Sequence, residues 1–130
     1  TSQILGLDQA TRNANDAISM VQTADGAMAE VDNMLQRMRE LTVQAATGTN
    51  TSAELTILNT EFESLEAEIH SISTSTQWNG TNILDGSLGE VNFHVGANAD
   101  QTVSITFADL NTDFGTIQYS NTIPTTTLRY

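Results

Sequence analysis

Core candidates, most of them apolar, recur along the first third of the chain at alternating steps of three and four. Ile4, Leu7, Thr11, Ala14, Ile18, Val21, Ala24, Met28, Val31, Leu35, Met38, Thr42 and Ala45 follow this rule. The spacing predicts one long helix over residues 3 to 46, packed along a neighbour. From Ile18 the steps run three, three, four, the pattern of a stammer that locally overwinds a coiled coil. Gly6 and Gly26 each cost about 1 kcal/mol relative to alanine inside a helix, so tertiary or quaternary contacts must hold it. "TGTNTSAE" then breaks the period: Gly48 suits a helix stop, and Thr51 with Glu54 has the spacing of a capping box. A second helix is expected over 52 to 74, with Leu55, Leu58, Phe62, Leu65, Ile69 and Ile72 on one seam and Glu54, Glu61, Glu63, Glu66 and Glu68 off it. A short connection makes the two helices antiparallel.

The pattern changes after "STSTQWNGTNILDGSLGE", a loop with turn signals at Asn79-Gly80 and Asp85-Gly86. Val91, Phe93 and Val95 alternate with Asn92 and His94, and Val103, Ile105 and Phe107 alternate with Ser104 and Thr106. This predicts a hairpin over 90 to 107 with one apolar face. Residues 108 to 130 are rich in Thr and Asn, carry Pro124 and show no clear period, as a loop or weak strand would. The expected fold is mostly α with a small β-hairpin: an elongated helical-bundle core of two long antiparallel helices. Its seams call for a third or fourth helix that these residues do not supply. The missing partner is expected from elsewhere in a longer protein or from other subunits.

Composition narrows the chemistry. Apolar residues make up 38% of the 130 and aromatics 5%, which favours alanine-rich helices over a compact aromatic core. A formal charge of -12, with four basic residues and no lysine, argues against a nucleic-acid or anionic-membrane surface. There is no cysteine and no apolar run of the roughly 20 residues that span a bilayer. Thr1 opens no signal-peptide pattern, and the apolar period is already running at Ile4, so the chain reads as a fragment. His70 lies four residues after Glu66, but two ligands lack a third, and His94 sits on the polar face of its strand. Asp109 to Gly115 has the alternating oxygens of a calcium loop, yet its glycine comes one position late and Ser120 stands where glutamate is needed. No nucleophile elbow, Ser/His/Asp set or phosphate-binding glycine loop occurs. The chain is therefore not expected to be an enzyme, nor to hold a metal or cofactor. Two glycosylation sequons, Asn50-Thr51-Ser52 and Asn79-Gly80-Thr81, fall where turn chemistry explains them. Met28 and Met38 lie on the seam, whereas Met20 and Met34 lie off it and are candidates for subunit contacts.

Three stretches carry a resemblance. "QATRNANDAISMVQTADGAMAEVDNMLQRMRELTVQAATGTN" resembles the first long helix of the filament-core domain of bacterial flagellins. "TQWNGTNIL" resembles that family's loop after the second helix, and "FHVGANADQTVSI" its core-domain hairpin. The likeness covers residues 1 to 107, with Ala17 where glycine is common and Trp78 where phenylalanine is usual. It implies the N-terminal portion of the core domain, without the terminal tube-forming helices, and with residues 108 to 130 leading toward the variable outer region. By the same resemblance a C-terminal helix packs on the two N-terminal ones. The parent would be a secreted, extracellular structural subunit of the flagellum. It would self-assemble into a homopolymer for motility, leave by the flagellar export pathway and meet an export chaperone and a filament cap.

"LQRMRELTVQAA" remains to be placed. Helical geometry puts Arg37, Leu41 and Gln44 on one stripe beside the seam, which leaves Leu41 partly exposed next to a cation. Read as a solvated face, Arg37 and Arg39 offset Asp32 and Glu40. The resemblance implies more: a surface that packs on the next subunit and is recognised by the Toll-like innate immune receptor for flagellin. The matching positions are Arg37, Leu41 and Glu61, with Gln36, Gln44 and Leu58 at the periphery. Two other readings are a hook–filament junction protein and a free-standing coiled-coil adhesin or binding module.

Overall fold

A computed structural model describes residues 1 to 111 together with 114 and 115. Helix α1 spans Ser2–Ala46 and α2 spans Ser52–Ser75. Four short strands follow: β1 Gln77–Trp78, β2 Thr81–Asn82, β3 Glu90–His94 and β4 Thr102–Thr106. The expected outer-region segment, 108 to 130, lies mostly outside the described residues.

The turn between the helices is built by side chains. Thr51 and Glu54 form the capping box, with Thr51 N donating to Glu54 Oε2 at 2.7 Å and Glu54 N donating to Thr51 Oγ1 at 3.2 Å. The end of α1 differs from expectation. Gly48 takes no left-handed conformation, and the helix leaves through Thr47 in an extended one. Asn50 Nδ2 instead donates to the carbonyls of Gln44 and Thr47, at 2.6 and 2.7 Å. An amide side chain thus satisfies the orphan carbonyls that a glycine cap would otherwise serve.

The heptad of α2 is buried as its spacing implies, with Leu55, Leu58, Phe62, Ile69 and Ile72 in one cluster with Val31, Met38 and Leu41 of α1. Helix α1 is more complicated, because it carries two apolar stripes. Its buried residues are Ala10, Ala17, Met20, Val31, Met38 and Leu41. Ile4, Leu7, Ile18, Val21 and Leu35 of the expected seam are exposed, Ile4 at 59% and Ile18 at 56%. At 3.6 residues per turn, Ile4, Leu7 and Ile18 point to a different flank from Ala17, Met20 and Met38. The apparent stammer after Ile18 marks where the expected seam crosses from the uncovered stripe to the buried one. Met20 is correspondingly not a surface residue: it is 4% exposed, and Met34 packs against the first cluster.

A second cluster sits where sequence patterning showed only a loop. Ile83 and Leu84 are each 1% exposed, and they pack with Met20 and Phe107. They are brought there by a small hairpin, β1 against β2, whose turn residues Asn79 and Gly80 both have positive φ, 52° and 79°. Two positive φ values are the signature of a type I′ turn, which matches the twist of its strands. Trp78 Nε1 donates to Ser19 Oγ at 3.2 Å and ties this hairpin to α1. Asp85 accepts from the Ser87 hydroxyl and backbone N–H and from Asn82, which holds its carboxyl below the ordinary value, the Ser87 bonds first.

The larger hairpin pairs β3 with β4 antiparallel, Asn92 opposite Ser104 and Phe93 opposite Val103. Val91, Phe93 and Ile105 turn toward the second cluster. Val103, on the same apolar face, is 47% exposed, so that face is only partly covered. Its tip lies on the start of α1. Asn13 Nδ2 donates to the His94 carbonyl at 3.1 Å, and a Cβ on Gly6 would touch Ala97 at 3.5 Å. Beyond β4 the chain returns across the helices: Leu110 N donates to Leu84 O at 2.9 Å, and Phe114 N to Glu66 Oε1 at 3.0 Å.

Leu41 is the anchor of the helix pair, at 0% exposure. Leu41→Ala in the intact protein should cost about 2–5 kcal/mol of unfolding free energy. Val43→Ala, two residues away and 59% exposed, should stay within roughly 0.5 kcal/mol. Urea denaturation of both variants checks the contrast.

Candidate functional site

The face built by "LQRMRELTVQAA" and its neighbour on α2 has three layers. At the lip, Arg37 reaches across the helix–helix groove. Its Nε donates to Glu61 Oε1 at 2.8 Å, its Nη2 to Glu61 Oε2 at 3.3 Å, and its Nη1 to Glu40 Oε2 at 3.0 Å. The two-pronged grip on Glu61 uses the planar fork that arginine has and lysine lacks. Both carboxylates raise the Arg37 pKa further, Glu61 the more strongly, so the guanidinium stays charged. The side chains of Arg37 and Glu61 remain 46% and 45% exposed. One cation against two anions leaves this cluster net negative.

Beneath the lip lie Leu41 and Leu58. Both belong to the buried cluster between α1 and α2, at 0% and 7% exposure. This corrects the expectation that Leu41 is partly exposed. Arg37 and Leu41 do share a flank of α1, but that flank looks into the groove that α2 fills. Leu58 is likewise interior rather than peripheral.

Gln36 and Gln44 lie on the adjoining face, which Glu40 links to the lip. They line a shallow outward groove with Arg39, Glu40, Val43 and Thr47. Gln36 Nε2 donates to Asp32 Oδ2 at 3.0 Å, so Asp32 pairs with an amide rather than with Arg37. Arg39 makes no ion pair or hydrogen bond among the described residues. The structure therefore brings Arg37, Glu61 and Glu40 together, sets Leu41 and Leu58 under them, and leaves Gln36 and Gln44 on an adjacent face. Val43 was missed as a surface feature; its one signal is an apolar residue lying opposite the seam.

The remaining candidates do not converge on chemistry. Among the described residues no group of three or more His, Asp or Glu could hold a metal. No described helix is long and apolar enough to cross a membrane. In the calcium-like run, Asp109 Oδ1 accepts from the Asn111 backbone N–H at 2.9 Å, a local turn bond, while positions 112, 113 and 120 lie outside the described residues. His70 and His94 are exposed on separate elements.

A half-covered helical pair carrying small hairpins and an ion-paired lip is suited to packing against a partner. Comparison with known proteins gives the family. A family model described as the bacterial flagellin N-terminal helical region matches residues 1–88. The chain is 50% identical over 115 residues to a flagellin of Escherichia coli O127:H6, covering 87% of this chain and 20% of that protein. It is 44% identical over 113 residues to flagellin B of Vibrio anguillarum, covering 87% and 30%. The solved structure of FliC from Burkholderia pseudomallei matches with a TM-score of 0.63 at 41% identity, over 72% of this chain and 35% of that one. Bacillus cereus flagellin matches with a TM-score of 0.67 at 32% identity, over 75% and 58%. The chain belongs to the bacterial flagellin family, whose members are structural proteins rather than enzymes. It spans less than a third of the length of these curated relatives.

The ion pair across the groove gives a direct test. Arg37→Ala and Glu61→Ala should each lower the melting temperature slightly, well short of Leu41→Ala, because half-exposed pairs are screened by water. The double variant should cost less than the two singles added together, since one interaction is removed in all three. A thermal-melt cycle measures the difference.

Proposed function

We propose that this chain is the N-terminal part of the core domain, residues 1 to 107, of a flagellin subunit that polymerises with copies of itself into the extracellular flagellar filament. The observation that supports it is the uncovered apolar stripe of α1. Ile4, Leu7 and Ile18 stand in solvent along one flank of a 45-residue helix, and Val21 and Leu35 are exposed farther along it. Burying apolar area gains about 25 cal/mol per Å², so such a stripe favours a packed helical partner. The groove between Val21, Met28, Leu84 and Phe107 continues the same surface. In this reading a returning C-terminal helix of the parent covers the stripe, and terminal helices beyond it form the filament's inner tube. Residues 108 to 130 lead toward the outer region. Export by the flagellar pathway, with a chaperone and a filament cap, belongs to the same reading and rests on the family alone.

The Arg37–Glu61 face has a place in it. We infer that it contacts a neighbouring subunit in the filament and that the shed monomer offers it to the Toll-like receptor for flagellin. Arg37 and Glu61 are half exposed there. Gln36 and Gln44 lie alongside, while Leu41 and Leu58 fix the positions of both helices from below.

Two measurements test these readings. The intact protein sheared from cells should be much heavier than these 130 residues and should appear as long filaments by electron microscopy. A soluble, non-filamentous native product of this length would sink the filament reading. Arg37→Ala in the intact monomer should sharply lower signalling in a receptor-reporter assay while leaving the far-ultraviolet circular dichroism unchanged; an undiminished response would remove the receptor reading.

A further inference from the structure

The chain contains one asparagine followed by glycine, Asn79-Gly80, and the structure sets it at the exposed tip of the β1–β2 turn. The two sequons contrast sharply in chemistry. The Asn50 amide nitrogen is occupied, donating to the carbonyls of Gln44 and Thr47. Among the described residues the Asn79 side chain makes no hydrogen bond, and it stands in solvent. Its neighbour Gly80 has no Cβ, and nothing lies within 4 Å of where one would be. The ladder beneath this turn is only two residue pairs long, Gln77 with Asn82 and Trp78 with Thr81. So short a ladder opens locally at little cost.

We propose that Asn79 is a site of spontaneous covalent modification, converted through a cyclic imide to aspartate and isoaspartate. In a transient opening of the turn, the Gly80 amide nitrogen loses its proton to solvent base and attacks Asn79 Cγ. The bond from Cγ to the side-chain nitrogen breaks, and ammonia leaves. Water then opens the ring at either carbonyl. Opening at Cγ leaves aspartate in a normal backbone, and opening at the main-chain carbonyl leaves isoaspartate, with an extra methylene in the backbone.

The two products have different consequences. Aspartate tolerates the left-handed conformation that Asn79 adopts at φ 52° and keeps the two-residue turn. Isoaspartate lengthens that turn, so the register of Trp78 with Thr81 cannot be kept. The hairpin holds Trp78 on Ser19 and delivers Ile83 and Leu84 to the second cluster. Loss of register at its tip is therefore expected to loosen that cluster's edge.

The test is ageing of the intact protein at mildly alkaline pH and warm temperature, followed by peptide mapping. The peptide spanning residues 77 to 82 should gain the mass of an amide turned to an acid and split into two chromatographic forms. An Asn79→Asp protein supplies the standard for one of them. Conversion at Asn79 should run roughly tenfold faster than at any other asparagine, the advantage of a following residue with no Cβ. Equal rates at all asparagines would overturn the proposal. So would an Asn79 that stays intact in the folded protein while converting in urea, because the turn would then protect it. Amide hydrogen exchange tests the consequence. The isoaspartate fraction should lose protection over residues 77 to 84 while Asn79→Asp keeps it; parent-like protection in the isoaspartate fraction would overturn the coupling.

Discussion

Everything in this structure depends on the burial of one apolar stripe of α1 under α2. Val31, Met38 and Leu41 are its buried residues, and Ala27 and Ala45 pack partly buried beside them. Alanine-rich faces bury little area each, and a helix of 45 residues with interior glycines cannot rely on propensity. The larger side chains of α2, Leu55, Leu58, Phe62, Ile69 and Ile72, supply most of the apolar volume in that seam. Below the crossing, Ile83 and Leu84 take over the same role against Met20, so a short loop continues what α2 began.

Polar groups fix the register that burial alone leaves loose. Apolar contact is non-directional and allows one helix to slide on another. The fork of Arg37 on Glu61, the capping box at Thr51 and Glu54, and the Asn50 cap set the distance at which α2 starts and where it meets α1. Asn13 on the His94 carbonyl and Trp78 on Ser19 do the same for the two hairpins. These bonds are mostly exposed, and their contribution is one of geometry more than of free energy.

The second stripe of α1 explains why the chain looks unfinished in isolation. A helix that is apolar on two flanks needs two neighbours. In the structure α2 and the hairpins serve one flank, and in the proposed reading a returning helix of the parent protein would cover the other. The net-negative cluster at Arg37 is a clasp between the helices, and the side chains of Arg37 and Glu61 remain 46% and 45% exposed.

Much of this fold is written locally in the sequence. The start of α2 is legible because Thr51 and Glu54 bond each other across three residues, and its buried face because one heptad runs unbroken from Leu55 to Ile72. The larger hairpin is legible in the alternation of Val91 to Phe93 and Val103 to Ile105. Asn79-Gly80 announces a turn because few residues accept positive φ, though the burial of Ile83 and Leu84 behind it has no periodic signal in so short a run. Sequence could not decide which of the two stripes of α1 is covered, because periodicity fixes the angle between residues and not the position of the neighbour. That choice placed Ile4 and Ile18 in solvent and Leu41 in the core. Nor could it pair Arg37 with Glu61, 24 residues away, since that contact exists only once the turn at Thr47 to Thr51 has set the two helices in register.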